Sequence, residues 1–187
     1  VEQRGEYLIQ ARRDAVWKAL NDAEVLGRCI PGCESVAVTD DNRFVAAVTS
    51  KIGPVKARFQ GEISLEDLNP PESYTLKGTG QGGAAGFARG EARVRLEDEG
   101  AQTLLTYDLT ASVGGKLAQV GSRLIDGAAR KLADDFFATF KQVIESEEGV
   151  EVSDGAATRK PPRMDPRAMT WIVVAALAAA VAFFLIL

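Results

Sequence analysis

The side chains that most often carry chemistry are scarce in this chain. Histidine is absent, which removes Ser-His-Asp and Cys-His catalysis, imidazole metal sites and the usual haem ligand. Cys29 and Cys33 are the two cysteines, fewer than the four ligands a structural zinc usually takes. Their spacing, Cys29-Ile30-Pro31-Gly32-Cys33, is not that of a thioredoxin-type pair, and they read as free thiols of a reducing compartment. The run 78–86, Gly-Thr-Gly-Gln-Gly-Gly-Ala-Ala-Gly, is rich in glycine but lacks the Lys-Ser/Thr ending of a phosphate loop. It also joins two strands, so it reads as a flexible hairpin. Tyr74 and Tyr107 are nearly all that remains on inward positions to move a proton. No catalytic residue and no metal ligand is assigned.

The elements that would position these groups follow from hydrophobic period and turn residues. A strand over 2–10 precedes a short helix capped by Asp14 and a second capped by Asp22, ended by Pro31-Gly32. Strands then follow over 34–39, 43–52, 55–68, 73–80, 87–97 and 102–113, each closed by Asp, Asn, Gly or Pro. After Gly114-Gly115 the period changes to that of one long amphipathic helix over 116–147, with Leu117, Gly121, Ile125, Ala128, Leu132, Phe136 and Val143 on one face. An antiparallel sheet must bury one face, and this helix is the element able to cover it.

Alternation marks which residues face that cover. Val55, Ala57, Phe59, Gly61, Ile63 and Leu65 alternate with polar residues that face water. The neighbouring strands add Tyr74, Leu76, Gly78 and Gly80, then Ala88, Gly90, Ala92 and Val94, then Tyr107 and Leu109. Many of these are Gly or Ala, and so are Gly121, Ala128 and Ala129 on the helix. Small side chains facing small ones leave a space that costs stability unless something fills it. The expectation is an apolar ligand cavity lined on the sheet by Phe59, Ile63, Tyr74, Leu76, Ala92, Val94, Tyr107 and Leu109. The helix side of its wall is Leu117, Gly121, Leu124, Ile125, Ala128 and Leu132. The competing account is a strongly curved sheet whose glycines serve bends while the helix sits closer.

The segment 168–187 carries no charge, and about 20 helical residues span the roughly 30 Å hydrocarbon core of a bilayer. It reads as a single transmembrane anchor. Arg159, Lys160, Arg163 and Arg167 before it place the preceding chain on the cytoplasmic side of an inner membrane, and the polar stretch 1–13 does not read as a signal peptide. Net charge is −4 and no basic face is evident, so nucleic acid is not an expected partner. The expected organisation is a ligand-binding domain over 1–148, a Pro/Gly/basic linker over 149–167 and the anchor over 168–187.

Two stretches carry a family resemblance. The run 14–33, Asp-Ala-Val-Trp-Lys-Ala-Leu-Asn-Asp-Ala-Glu-Val-Leu-Gly-Arg-Cys-Ile-Pro-Gly-Cys, resembles the opening of the carbon monoxide dehydrogenase G-subunit family. The runs 114–126 and 129–137 are similar to the long helix of that family. The resemblance covers roughly 2–148 and implies an α+β, START-like helix-grip fold, a curved antiparallel sheet of about seven strands around a long C-terminal helix. It also implies a non-catalytic accessory protein of a molybdenum carbon monoxide dehydrogenase or a related molybdenum hydroxylase. With the anchor, the expected role is to bind a lipophilic ligand, a respiratory quinone such as menaquinone or ubiquinone, and to link the enzyme to the membrane. No resident cofactor is expected. A recruitment adaptor without ligand, or a small cyclase-like enzyme, are the alternatives.

Overall fold

The computed structural model describes residues 1–40 and 42–151. Seven strands form one antiparallel sheet: β1 (Glu2–Ile9), β2 (Cys33–Asp40), β3 (Arg43–Ile52), β4 (Val55–Asn69), β5 (Ser73–Gln81), β6 (Phe87–Glu99) and β7 (Gln102–Gly114). Their order is β1-β7-β6-β5-β4-β3-β2, so all neighbours except β1 and β7 are consecutive in sequence. The helices α1 (Arg13–Leu20) and α2 (Ala23–Cys29) connect the two edge strands, and α3 (Ser122–Glu151) follows β7. This is the expected helix-grip arrangement, with strand ends within two residues of the expected ones.

The helix ends agree with expectation at the start of α2 and depart from it elsewhere, for local causes. Asp22 caps α2, its carboxylate accepting from Glu24 N at 2.8 Å and Val25 N at 3.3 Å. Asp14 is not the cap of α1; the cap is Arg12, with no side-chain hydrogen bond, and Asp14 lies in the first turn, where its charge favours the helix dipole. The long helix is not continuous from 116. A 3-10 turn at Leu117–Val120 ends at Gly121, whose φ of +99° is a backbone conformation that breaks a helix and suits glycine. At its other end α3 runs to Glu151, so the first residues of the expected linker are helical.

The glycine-rich hairpin is not an open loop. β5 continues to Gln81, a 3-10 turn occupies Gly83–Ala85, and Ala85 is buried. Gly86, at φ +119°, lies so close to the β7 end that a Cβ would stand 2.0 Å from the Gly114 carbonyl oxygen.

No helix among the described residues is long and apolar enough to cross a membrane. The one long helix among them, α3, carries Arg123, Asp126, Arg130, Lys131, Asp134 and Asp135 along its length, charges that a bilayer interior penalises. The transmembrane part of the expected fold, and the inner-membrane location drawn from it, are therefore withdrawn. The segment 168–187 on which they rested lies outside the described residues, as does most of the linker.

Two glycines separate space from backbone. Gly86→Ala is expected to destabilise the chain by about 1–3 kcal/mol, through a clash with backbone that cannot give way and a strained φ. Gly27→Ala, inside α2 with nothing within 4 Å of its would-be Cβ, should instead stabilise by about 0.5–1 kcal/mol. Urea unfolding of both variants checks the pair; equal effects would contradict the packing described.

Candidate functional site

The strand register sorts the inner face into bands. One band crosses four strands as Ala46, Gly61, Gly80 and Ala88, each paired with the next. Beside it runs Ile63, Gly78, Gly90 and Ala111. Toward the other end the paired residues become large: Leu65, Leu76, Ala92 and Leu109, then Tyr74, Val94 and Tyr107. The helix is graded the same way. Ile125, Ala129 and Ala133 are its buried residues in the first half, and Phe136, Phe137, Phe140, Val143 and Ile144 in the second. On the sheet, the backbone of α3 comes nearest to the outlying strands β1 and β3, so side chains must bridge to the middle strands.

Most of the expected wall faces this interior. Phe59, Ile63, Tyr74, Leu76, Ala92, Val94, Tyr107, Leu109, Leu117 and Ile125 are all buried. Ala128 and Leu132 are half-buried at the flank, and the residue that points fully inward is Ala129, at 0 % exposure. Gly121 is exposed, and Leu124 is 55 % exposed. Their places are corrected because Gly121 ends the 3-10 turn with a positive φ before α3 begins, and Leu124 falls beside the buried face that Ile125 holds. Leu124 and Val120 then lie against the β3–β4 turn at Gly53 rather than over the sheet.

Two glycines outside the expected set are covered by rings. A Cβ on Gly5 would stand 2.5 Å from the Tyr107 ring, and one on Gly82 would stand 2.3 Å from the Phe59 ring. Clefts of about 960, 550 and 490 Å³ all open on the outer face of the sheet. The largest is lined by Arg43, Glu62, Lys77, Arg89, Arg93 and Asp108 among others. Much of its charge is paired, Arg43 with Glu62 at 3.6 Å, Lys77 with Glu66 at 2.6 Å and Arg93 with Glu91 at 3.6 Å.

At the large-residue end, aromatic rings join the helix to the sheet. Phe137 stacks on Tyr7 with centroids 3.9 Å apart and meets Phe136 edge-on at 5.0 Å. The Tyr7 hydroxyl donates to Asp134 Oδ1 at 2.8 Å, and Lys141 stands 5.7 Å over the Tyr7 ring. Burial, the Asp134 carboxylate and Tyr107 push the Tyr7 phenol far above its ordinary range. Tyr107 is raised chiefly by burial, against the lowering effect of its hydrogen bond with Tyr7.

Trp17 of α1 completes the interior and was not among the expected wall residues. It is 4 % exposed, its ring meets that of Tyr74 edge-on at 5.4 Å, and its indole N–H has no hydrogen-bond partner. Tyr74 is 3 % exposed, and burial alone holds its phenol well above the usual range. Helical spacing assigns Trp17 to a core; nothing in the sequence shows that its N–H is orphaned, which depends on what the folded chain brings near it.

Elsewhere, Cys29 is buried and Cys33 half-buried, neither in a disulfide, with burial the main cause that raises Cys33. No group of three or more His, Cys, Asp or Glu side chains among the described residues is placed to hold a metal ion.

A single coiled sheet gripping one long helix, with an apolar interior between them, defines a START-like helix-grip protein. Within that class the chain belongs to the CoxG family, the G subunits of carbon monoxide dehydrogenase, which residues 5–145 match. It is similar to a conserved protein from Geobacillus kaustophilus of known structure, at 32 % identity and a TM-score of 0.74, over 79 % of this chain and 97 % of that one. A Thermus thermophilus protein shares the fold at 19 % identity and TM-score 0.60, over 79 % and 99 % of the two chains. So does the ZhuI aromatase/cyclase from Streptomyces sp. R1128, at 13 % identity and TM-score 0.56, over 79 % and 95 %. No curated protein matches this chain.

The three tyrosines, all held above their ordinary pKa, give a pH test. Their unfolded values lie near 10, so folding loses stability as pH rises above about 10, where the unfolded chain ionises first. Below that pH the contribution is fully present. Ultraviolet titration should show phenolate appearing together with loss of circular dichroism. Three phenols titrating near pH 10 in a still-folded chain would contradict the burial described.

Proposed function

We propose that this chain is an accessory protein of a molybdenum carbon monoxide dehydrogenase or a related hydroxylase, and that it holds a lipophilic ligand of the quinone class between the sheet and α3. The observation that carries this reading is the small-residue band Ala46, Gly61, Gly80 and Ala88, with Ala129 and Ala133 on the helix that covers the same face. Apolar surface so placed favours an apolar guest by roughly 25 cal/mol per Å² buried. An enzyme that oxidises carbon monoxide must pass its electrons on, and a quinone is an apolar molecule able to take them. The role is carriage rather than catalysis: the inner wall offers tyrosines whose pKa values are raised, which makes them poor bases near neutral pH.

A second reading, an adaptor that docks the dehydrogenase without a ligand, is favoured by the outer cleft of about 960 Å³ with its arginines and lysine. The two readings make different demands on the interior. Organic extracts of the purified full chain, analysed by mass spectrometry, should contain a quinone in near-stoichiometric amount. Extracts without any lipid, from a chain that also fails to take up added quinone, would leave the adaptor reading.

Ala129→Trp probes the same space from inside. Overpacking a filled core costs about 1–3 kcal/mol or more. In a chain that accommodates a ring-sized ligand there, the indole should leave the melting temperature unchanged or raise it while the extractable ligand disappears. A large fall in melting temperature would count against the carrier.

A further inference from the structure

At one end of the sheet lysine stands opposite lysine. Lys51 and Lys56 are register partners beside the β3–β4 turn, and both are exposed, although like charges so placed destabilise a strand pair. The turn between them carries Gly53 and Pro54, and Val120 and Leu124 come within van der Waals reach of a Cβ built on Gly53. Lys116 and Arg123, also exposed, accompany that apolar pair in the chain. The segments 51–56 and 115–124 hold these four cations and no Asp or Glu. None of the four makes an ion pair among the described residues. Of the acids nearby, Glu34 is already paired with Arg58 at 2.6 Å, and Asp126 is half-buried on α3.

We infer that this tip docks peripherally on an anionic lipid surface, with Leu124, Val120 and Pro54 entering the interface and the four cations meeting the headgroups. Exposed apolar residues accompanied by lysine and arginine suit a surface that is negative outside and apolar within. Long lysine stems keep their charge among the headgroups while their methylenes lie deeper. A purely acidic protein face would pair the cations but leave Leu124, 55 % exposed, without an apolar partner. Charge along the sheet also orients the approach. The β6–β7 turn at the opposite end carries exposed Glu97, Asp98 and Glu99, and exposed Asp67 of β4 lies at that end too. In a chain of net charge −4, an anionic surface therefore attracts the tip and repels the far end. Such a contact needs no spanning helix, and it does not depend on the interior holding a ligand.

The test measures sedimentation of the full chain with mixed phosphatidylcholine–phosphatidylglycerol vesicles and with phosphatidylcholine vesicles. A cation near an anionic leaflet is worth about fivefold in partition, so Lys51→Gln with Lys56→Gln should weaken binding to the mixed vesicles about twentyfold. Its melting temperature should be unchanged or higher, because a like-charge pair is removed. Leu124→Ser should weaken binding severalfold with the melting temperature unchanged. Arg95→Gln with Lys131→Gln removes the same charge away from the tip and should change binding little. Charges elsewhere in the chain are common to all variants and cancel. Hydrogen exchange of the unsubstituted full chain should slow over 51–56 and 115–124 when mixed vesicles are added, and not over 97–102.

Unchanged exchange over both tip segments would overturn the assignment, even in a chain that sediments with vesicles through another part. So would an equal loss of binding in the lysine pair and in the Arg95 and Lys131 control. Slowed exchange at the tip with added polyglutamate, but with neither kind of vesicle, would overturn it in favour of an acidic protein partner. None of these results bears on whether a quinone is extracted from the chain, so the carrier reading stands or falls separately.

Discussion

An antiparallel sheet that never closes on itself has one whole face to take out of water, and here α3 is the main element that covers it. Everything else is arranged around that burial. The helix cannot lie close to all seven strands of a coiled sheet, and its backbone approaches β1 and β3 most nearly among them. The middle strands must reach it through side chains, so residue size along each strand decides where the interior is filled. Phe136, Phe137 and Phe140 fill one end. At the other, glycine and alanine cross the strands in register.

The aromatic end also fixes the helix against the sheet edge. Tyr7 of β1 stacks on Phe137 and donates to Asp134, and Tyr107 of β7 stacks in parallel with both rings. These contacts bridge the start of the sheet to the C-terminal half of α3, far apart in sequence. Nearby, Thr103 donates to the Ala11 carbonyl at 2.8 Å in a buried position, tying β7 to the turn that leads into α1. Trp17 of α1 packs edge-on against Tyr74, and its buried N–H has no protein partner.

The outer face obeys a different rule. Its charged residues alternate with the buried ones along each strand, and cross-strand ion pairs such as Arg58 with Glu34 at 2.6 Å line it. Exposed pairs of this kind contribute little to stability, roughly 0–1 kcal/mol each. They leave a polar, grooved outer surface, while the inner face is given to packing against α3. The long helix likewise serves the core, and its charged side is a solvated face rather than a membrane-spanning one.

The sequence alone determined the architecture. Period-two alternation, the turn residues between strands and the switch to helical spacing after Gly115 are local signals, and the strand ends, the Asp22 cap and most buried wall residues follow from them. Family membership was legible in the same way, from the runs 14–33 and 114–137. Tertiary structure decided what those signals cannot encode. Ile125, Phe136 and Val143 face inward as their spacing requires, but that Ala129 rather than Ala128 points fully inward and Leu124 turns to solvent depends on how α3 is rotated against the sheet. Whether a glycine opens a space or receives a ring depends on a partner across the sheet, as with Gly5 under Tyr107 and Gly82 beside Phe59. The orphaned indole of Trp17 belongs to the same class, because a missing hydrogen-bond partner exists only once the chain has brought all its neighbours into place.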